Sequence, residues 1–218
     1  MANTVLNYLK GRGWMVFSGG NTPGSPIRSQ ALARAQAYSS VAYISTAEDG
    51  GDSMMDDMED LGARTGYFVD LQYDSPEELR KQLEGASLIV IEVGTSVDAL
   101  VQGLVDEAVS GMREAYERGA VILIEGLAAN VFGRWVISDS GELLDGLNWI
   151  ENAFIEPDSG GIDDSHAVQT VIERFPEAIA INIRAGAALA LGADSQIEVW
   201  GDANDVTLSL GSRFTSDS

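Results

Sequence analysis

Two tetrads, Leu88-Ile89-Val90-Ile91 and Val121-Ile122-Leu123-Ile124, restrict the folds open to this chain more than any other feature. Each is apolar at every position. A strand with one wet face alternates, whereas a strand covered on both faces is continuously apolar, and in parallel sheets helices supply the cover. Runs at 14–17, 41–45 and 66–69 share the Val- and aromatic-rich character, so five parallel strands are predicted, with the tetrads (the fourth strand continuing to 93) at the centre. Helices are expected between them at 28–38, at 52–61, from Ser75-Pro76-Glu77-Glu78 to Glu84, and along 97–118. Ser75 is placed to cap, Pro76 to sit first in the helix, and Glu78 to close a capping box. Ser110-Gly111 interrupts the longest apolar stripe, which fits two helices or one kinked helix.

After residue 133 the pattern changes to short strands at 134–138, 153–156, 178–183, 187–191, 196–200 and 206–210, with one more helix at 165–174. The last three strands read as antiparallel, and Trp200-Gly201-Asp202-Ala203-Asn204-Asp205-Val206 as a turn between two of them. The predicted class is α/β: a single doubly wound, mainly parallel sheet flanked by helices, with antiparallel strands in the C-terminal third. The 218 residues suit one domain over 1–211, with 212–218 polar enough to fray.

Thirty-four acidic residues oppose 13 basic ones, a formal net charge of −21, and the resulting field repels nucleic acid and anionic lipid. Neither is expected as a partner. Without cysteine there is no disulfide framework, thiolate nucleophile or zinc-thiolate site, and with His166 alone no multi-histidine centre, so no cofactor is expected. No apolar run reaches the roughly 20 residues that span a bilayer, and Met1-Ala2-Asn3-Thr4-Val5 lacks the basic flank of a signal peptide, so a cytoplasmic protein is expected.

Ligands of such sheets collect at the carboxyl ends of the strands. Three loops there draw notice: Phe17-Ser18-Gly19-Gly20-Asn21, Val93-Gly94-Thr95-Ser96-Val97 and Glu125-Gly126-Leu127-Ala128-Ala129-Asn130. Gly19, Gly20, Gly94, Thr95, Ser96, Gly126 and Ala128 are the candidate ligand-binding residues, the first pair because glycines let N–H groups face an anion or oxyanion. The third loop has the outline of a nucleophile elbow, a strand turning sharply into a helix. Leu127 stands where its serine belongs, and it has no lone pair with which to attack a carbonyl.

Ser18 and Ser96 are the alternative nucleophiles. His166, in Asp164-Ser165-His166, reads as the start of a capped helix, because triad members converge from different loops. The acidic stretches 48–52 with Asp56, Asp57 and Asp60, and 158–164, lack calcium-loop spacing and read as solvated faces. Trp135 and Trp149 are expected in the core or at a subunit contact.

Four further stretches, together with the elbow loop, carry a family likeness: Met112-Arg113-Glu114-Ala115-Tyr116-Glu117-Arg118-Gly119-Ala120-Val121-Ile122 most specifically, then Gly19-Gly20, Glu84-Gly85-Ala86-Ser87-Leu88-Ile89-Val90 and Phe175-Pro176-Glu177-Ala178-Ile179-Ala180-Ile181. In this order they resemble the peptidase S51 family, which includes aspartyl dipeptidase and cyanophycinase and has a class I glutamine amidotransferase-like fold. The resemblance spans nearly the whole chain. It implies hydrolysis of peptides next to aspartate by a Ser-His-Glu triad, and at the matching positions this chain has Leu127, Asp158 and Ala185. The family's Gly-Gly-Asp-Gln segment corresponds to Gly94-Thr95-Ser96-Val97. The expectation is a non-catalytic S51-like protein that acts by binding or self-assembly, with a homo-oligomer or a basic peptide as partner. The alternatives are a serine hydrolase built on Ser18, Ser96 or His166, and a sensor of basic or Asp-Arg peptides.

Overall fold

The computed structural model describes residues 6–35, 40–47, 51–64, 66–94, 96–157 and 165–212. Its main sheet holds five parallel strands, β1 (Trp14–Ser18), β2 (Val41–Ser45), β3 (Gly66–Phe68), β4 (Leu88–Glu92) and β5 (Val121–Glu125). Three strands follow in the chain, β6 (Trp135–Ile137), β7 (Leu143–Asp145) and β8 (Ala153–Pro157), and then β9 (Ile179–Ile183), β10 (Ala188–Leu191), β11 (Ile197–Trp200) and β12 (Val206–Leu210). The main sheet runs β11-β10-β1-β5-β4-β2-β3, with β10 and β11 antiparallel on its flank. This is the mixed α/β architecture read from the tetrads. β4 and β5 are central, and their apolar residues are buried on both sides.

Alternate strand residues serve opposite faces. Val16, Tyr43, Val90 and Leu123 pack with Ile27 and Ala31 of α1 (Pro26–Arg34) and Met54 and Met58 of α2 (Asp52–Asp60). Phe17, Ile44, Ile91 and Ile124 pack on the other side with α3 (Pro76–Gly85), α4 (Val97–Gly103) and α5 (Asp106–Arg118). Each fully buried Ile, Leu or Val contributes about 1.5–3 kcal/mol relative to exposure, which is why these runs define the sheet. The capping box forms as expected, with Ser75 Oγ accepting from Glu78 N–H at 3.3 Å and Glu78 accepting from Ser75 N–H at 3.1 Å.

Three local expectations change. The 97–118 stretch breaks at Leu104 and Val105, not at Ser110-Gly111. Gly111 lies inside α5 because α3 crosses so closely that a Cβ there would stand 2.8 Å from the Arg80 carbonyl. β11 and β12 do not pair with each other: β11 extends the main sheet, while β12 joins β9 and β8 in a separate three-stranded sheet. A strand missing from the sequence reading, β7, pairs with β6, and its residues Leu143-Leu144-Asp145 lack the β-branched signature. Trp135 and Trp149 are both buried. The expected tail from 213 onward and positions 36–38 of the first helix lie outside the described residues.

Candidate functional site

The carboxyl ends of the four inner parallel strands form one row. Ser18 of β1 is the register partner of Glu125 of β5, Glu125 of Glu92 of β4, and Glu92 of Ser45 of β2. Partners across parallel strands point to the same face, and by alternation with Val16, Leu123, Val90 and Tyr43 this is the face covered by α1 and α2. A polar rim therefore closes an otherwise apolar interface.

Arg28 reaches into this rim from α1. Its Nε donates to Glu125 Oε1 at 3.0 Å and its Nη2 to Glu125 Oε2 at 2.5 Å, a two-pronged fit to one carboxylate, while Nη1 donates to Asp57 Oδ2 at 2.7 Å. All three side chains are buried. Asn21 Nδ2 also donates to Glu125 Oε1, Ser25 Oγ donates to Asn21 Oδ1 at 2.9 Å, and Gly24 N–H donates to Asp57 Oδ1 at 2.6 Å. Ser25 in turn caps α1, with Pro26 opening the helix, so the local sequence that starts α1 also aims Arg28 at the strand ends. Burial opposes the guanidinium's charge, but its hydrogen bonds and proximity to Glu125, then to Asp57, outweigh that and hold its pKa above the ordinary arginine value.

The reading of Asp57 as part of a solvated acidic face is therefore corrected. It lies on the buried side of α2 and meets a cation there, a pairing that spacing along one chain does not reveal. Arg28, Glu125, Asp57, Asn21 and Glu92 were all missed as site residues. The available signal was a charged residue ending each of the two most apolar strands, since a carboxylate at such a place requires a partner.

The glycine loop after β1 behaves differently from an oxyanion cradle. Gly19 N–H donates to the Ala187 carbonyl at 3.1 Å and Gly20 N–H to Ser18 Oγ at 3.2 Å, so both face protein acceptors. Gly19 is required for another reason: a Cβ there would lie 2.2 Å from the Ile183 carbonyl. The β9–β10 turn thus packs directly on this loop, and Gly186 N–H donates to the Gly20 carbonyl. That contact brings Ala185, exposed at the turn, beside Gly19 and Gly20.

At the elbow, Gly126 N–H donates to the Ser18 carbonyl at 2.9 Å, and the short helix α6 (Ala128–Val131) begins two residues later. The left-handed residue of the turn is Gly126, with φ of 56°, whereas Leu127 has φ of −58° and is 53% exposed. The left-handed conformation thus falls on glycine, which tolerates it, and not on the leucine that stands where the elbow's serine belongs. Ala128 is fully buried beneath the turn.

Across β4, Gly94 abuts Ala47, and a Cβ would sit 2.1 Å from Ala47 Cα. Ser96 Oγ caps α4 by accepting from Ala99 N–H at 3.1 Å and donates to Asp139 at 2.6 Å. Asp139 also accepts from Val97 N–H at 3.0 Å, and these bonds, the Ser96 hydroxyl first, hold its carboxyl below the usual carboxylate range. Such an acid is ionised and already occupied, and it is a poor base toward Ser96. Ser18 is fully buried. His166 opens α7 (His166–Arg174) on the surface with Ser165 as its cap, as expected, and among the described residues no side-chain hydrogen bond joins it to either serine. Thr95, Asp158 and the acidic stretches 48–50 and 158–164 lie outside the described residues.

The structure therefore gathers Gly19, Gly20, Gly126 and Ala185 around Ser18, and sets Gly94 and Ser96 apart beyond β4. Beside the latter pair a cavity of about 420 Å³ opens between Ser45, Phe68, Leu71, Tyr73, Ser96 and Ala99. No helix of the described residues is long and apolar enough to cross a membrane, and no group of three or more His, Cys, Asp or Glu among them is arranged to hold a metal ion.

No family model matches the sequence, and no curated protein does. Solved structures do match in fold. A peptidase from an acI-B1 Actinobacterium superposes with a TM-score of 0.69 at 16% identity, covering 93% of this chain and 96% of that one. A candidate peptidase E protein from Listeria monocytogenes EGD-e superposes with a TM-score of 0.61 at 12% identity, covering 88% of this chain and 99% of that one. The chain has the fold of these peptidases.

Proposed function

We propose that this chain is a non-catalytic counterpart of S51-type peptidases that acts by binding or self-assembly. The observation that carries this reading is the turn after β5: its left-handed residue is glycine and the next is an exposed leucine. Neither has an oxygen or sulfur able to attack a carbonyl. Removing a nucleophile from a working triad costs on the order of 10⁶ in kcat, which leaves background chemistry. Supporting it, Glu125 beside the turn is neutralised by Arg28, Ser18 is sealed in the interior, and Ser96 is engaged by Asp139 and by the start of α4.

The test is reaction of the full chain with a fluorophosphonate probe, alongside an assay of aspartyl dipeptide cleavage. The expected result is no labelling and no turnover above buffer. Labelling that Ser18→Ala or Ser96→Ala abolishes overturns the reading in favour of a relocated hydrolase.

A further inference from the structure

At its carboxyl end β2 leaves for α2 on one face of the main sheet, whereas β3 and β4, the strands on either side of it, leave for α3 and α4 on the other. Connections that part to opposite faces open a crevice between them, and in open α/β sheets such a switch point is where ligands bind. The cavity of about 420 Å³ lies there. Its wall comes from the end of β2 (45–47), from the end of β3 with the loop that follows (68–73), and from Ser96 and Ala99 at the start of α4. That volume falls within the range of small-molecule sites.

The wall is chemically one-sided. The Ser45 hydroxyl donates to Glu92 at 2.9 Å, that of Thr46 to the Ser96 carbonyl at 3.4 Å, and that of Ser96 to Asp139 at 2.6 Å. Each oxygen also accepts one backbone N–H, from Ala47, Gly94 and Ala99 in turn. A hydroxyl has one hydrogen and two lone pairs, so each of the three is left with a lone pair and no hydrogen for a ligand. None of the described lining residues is Lys, Arg or His, and Asp70 is among them.

The aromatic groups point the same way. Phe68 and Tyr73, 36% and 86% exposed, are the two exposed aromatic side chains among the described residues, and both stand on this cavity. Phe68 rests against Tyr43 with ring centroids 5.9 Å apart, and Asp70 accepts from the N–H groups of Gln72 and Tyr73 at 2.9 and 3.0 Å. Both rings are therefore held on anchored segments. Aromatic faces attract cations and pack against aliphatic stems.

We propose that this cavity binds an alkylammonium group, presented by a free aliphatic diamine or by a lysine side chain of a basic peptide. An ammonium has three N–H donors and no acceptor, which matches hydroxyls that can only accept. Its stem suits Phe68 and Tyr73, and the chain's net charge of −21 draws it in while repelling an anion of the same size. This deepens the binding half of the reading above and rests on it, while catalytic inertness is decided separately by the fluorophosphonate test.

The test is titration of the full chain with putrescine and with N-acetyl-lysine methylamide, read by calorimetry and by backbone amide NMR shifts in about 0.15 M NaCl, where the screening length is about 8 Å. One saturable site per chain is expected, with shifts confined to 45–47, 68–73 and 96–99. Butanediol and succinate, which keep the four-carbon body and lose or reverse the charge, are expected not to bind. The tighter of the two amines identifies the source of the group. Tyr73→Ala, with circular dichroism unchanged, weakens binding about two- to fivefold, the span of an exposed cation–ring contact, and Tyr73→Phe keeps it. Failure of both amines to bind overturns the proposal. So do shifts spread across the acidic surface, butanediol or succinate binding as tightly as the amines, or a Tyr73→Ala variant that binds like the wild type.

Discussion

Glu125 and Glu92 end neighbouring strands as register partners on one face, yet the structure treats them in opposite ways. Glu125 is buried, gripped by both prongs of Arg28 and by Asn21. Glu92 is only half-buried and accepts from Ser45 Oγ at 2.9 Å, next to the cavity that Ser45 helps to line. The difference teaches that a carboxylate at a strand end takes its burial from its partners, a guanidinium carried in by a helix for Glu125 and a neighbouring strand's hydroxyl for Glu92. α1 and α2 deliver a cation and a second acid to β5. At β4 the carboxylate instead takes a hydroxyl from the neighbouring strand β2.

The largest expected effect lies on the closed side. Arg28→Met leaves Glu125 and Asp57 buried without their cation and is expected to cost about 3–5 kcal/mol in urea unfolding. Replacing Arg28, Glu125 and Asp57 together with Met, Leu and Leu is expected to cost less than the single change, because no charge is then stranded. Equal losses in both variants break the distinction between scaffold and rim.

On the open side, Ser45→Ala removes a hydroxyl that donates to Glu92 and accepts from Ala47 N–H, and water can replace part of what is lost. A loss of about 1 kcal/mol in the same unfolding measurement is expected. A loss matching that of Arg28→Met makes the two carboxylates equivalent after all.

The smallest effect is local and pH-dependent. Asp139, exposed and bonded to Ser96 and Val97, has its pKa lowered on folding, so its contribution is fully present above the ordinary value of 3.8 and is lost as pH falls through the lower folded value. Protection of the first-turn amides of α4, taken relative to their intrinsic exchange rate at each pH, is expected to fall on acidification across that range, and Asp139→Asn to remove the dependence. An unchanged pH profile in the variant shows that Asp139 does not hold the start of α4.

These contrasts also separate what could be read from the chain from what could not. The inner strands were legible because two-sided burial leaves unbroken apolar runs, and α3 because Ser75, Pro76 and Glu78 write its start in adjacent residues. The break before Asp106 was not, since Val105 and Asp106 carry no stop signal although Asp106 takes φ of 41° there. The elbow was legible as a turn, but which of its residues is left-handed was not, because the strand's last pair, Ser18 with Glu125, fixes where turning begins and leaves that conformation to Gly126. The parting of β11 from β12 depends on which neighbour each finds in space, and alternation alone does not encode that. The Arg28 cluster was legible only in part: a carboxylate ending an apolar strand called for a partner, but that the partners come from α1 and α2 is not written in the chain.

Arg28 and Glu125 stand 97 residues apart in the chain. Arg28 and Asp57 both precede Glu125 in the chain, so the cluster closes only when β5 takes its place between β1 and β4. One guanidinium then serves two carboxylates, with the donors of Asn21 and Gly24 completing the corner. The ion cluster acts as a latch that records the arrival of the central strand.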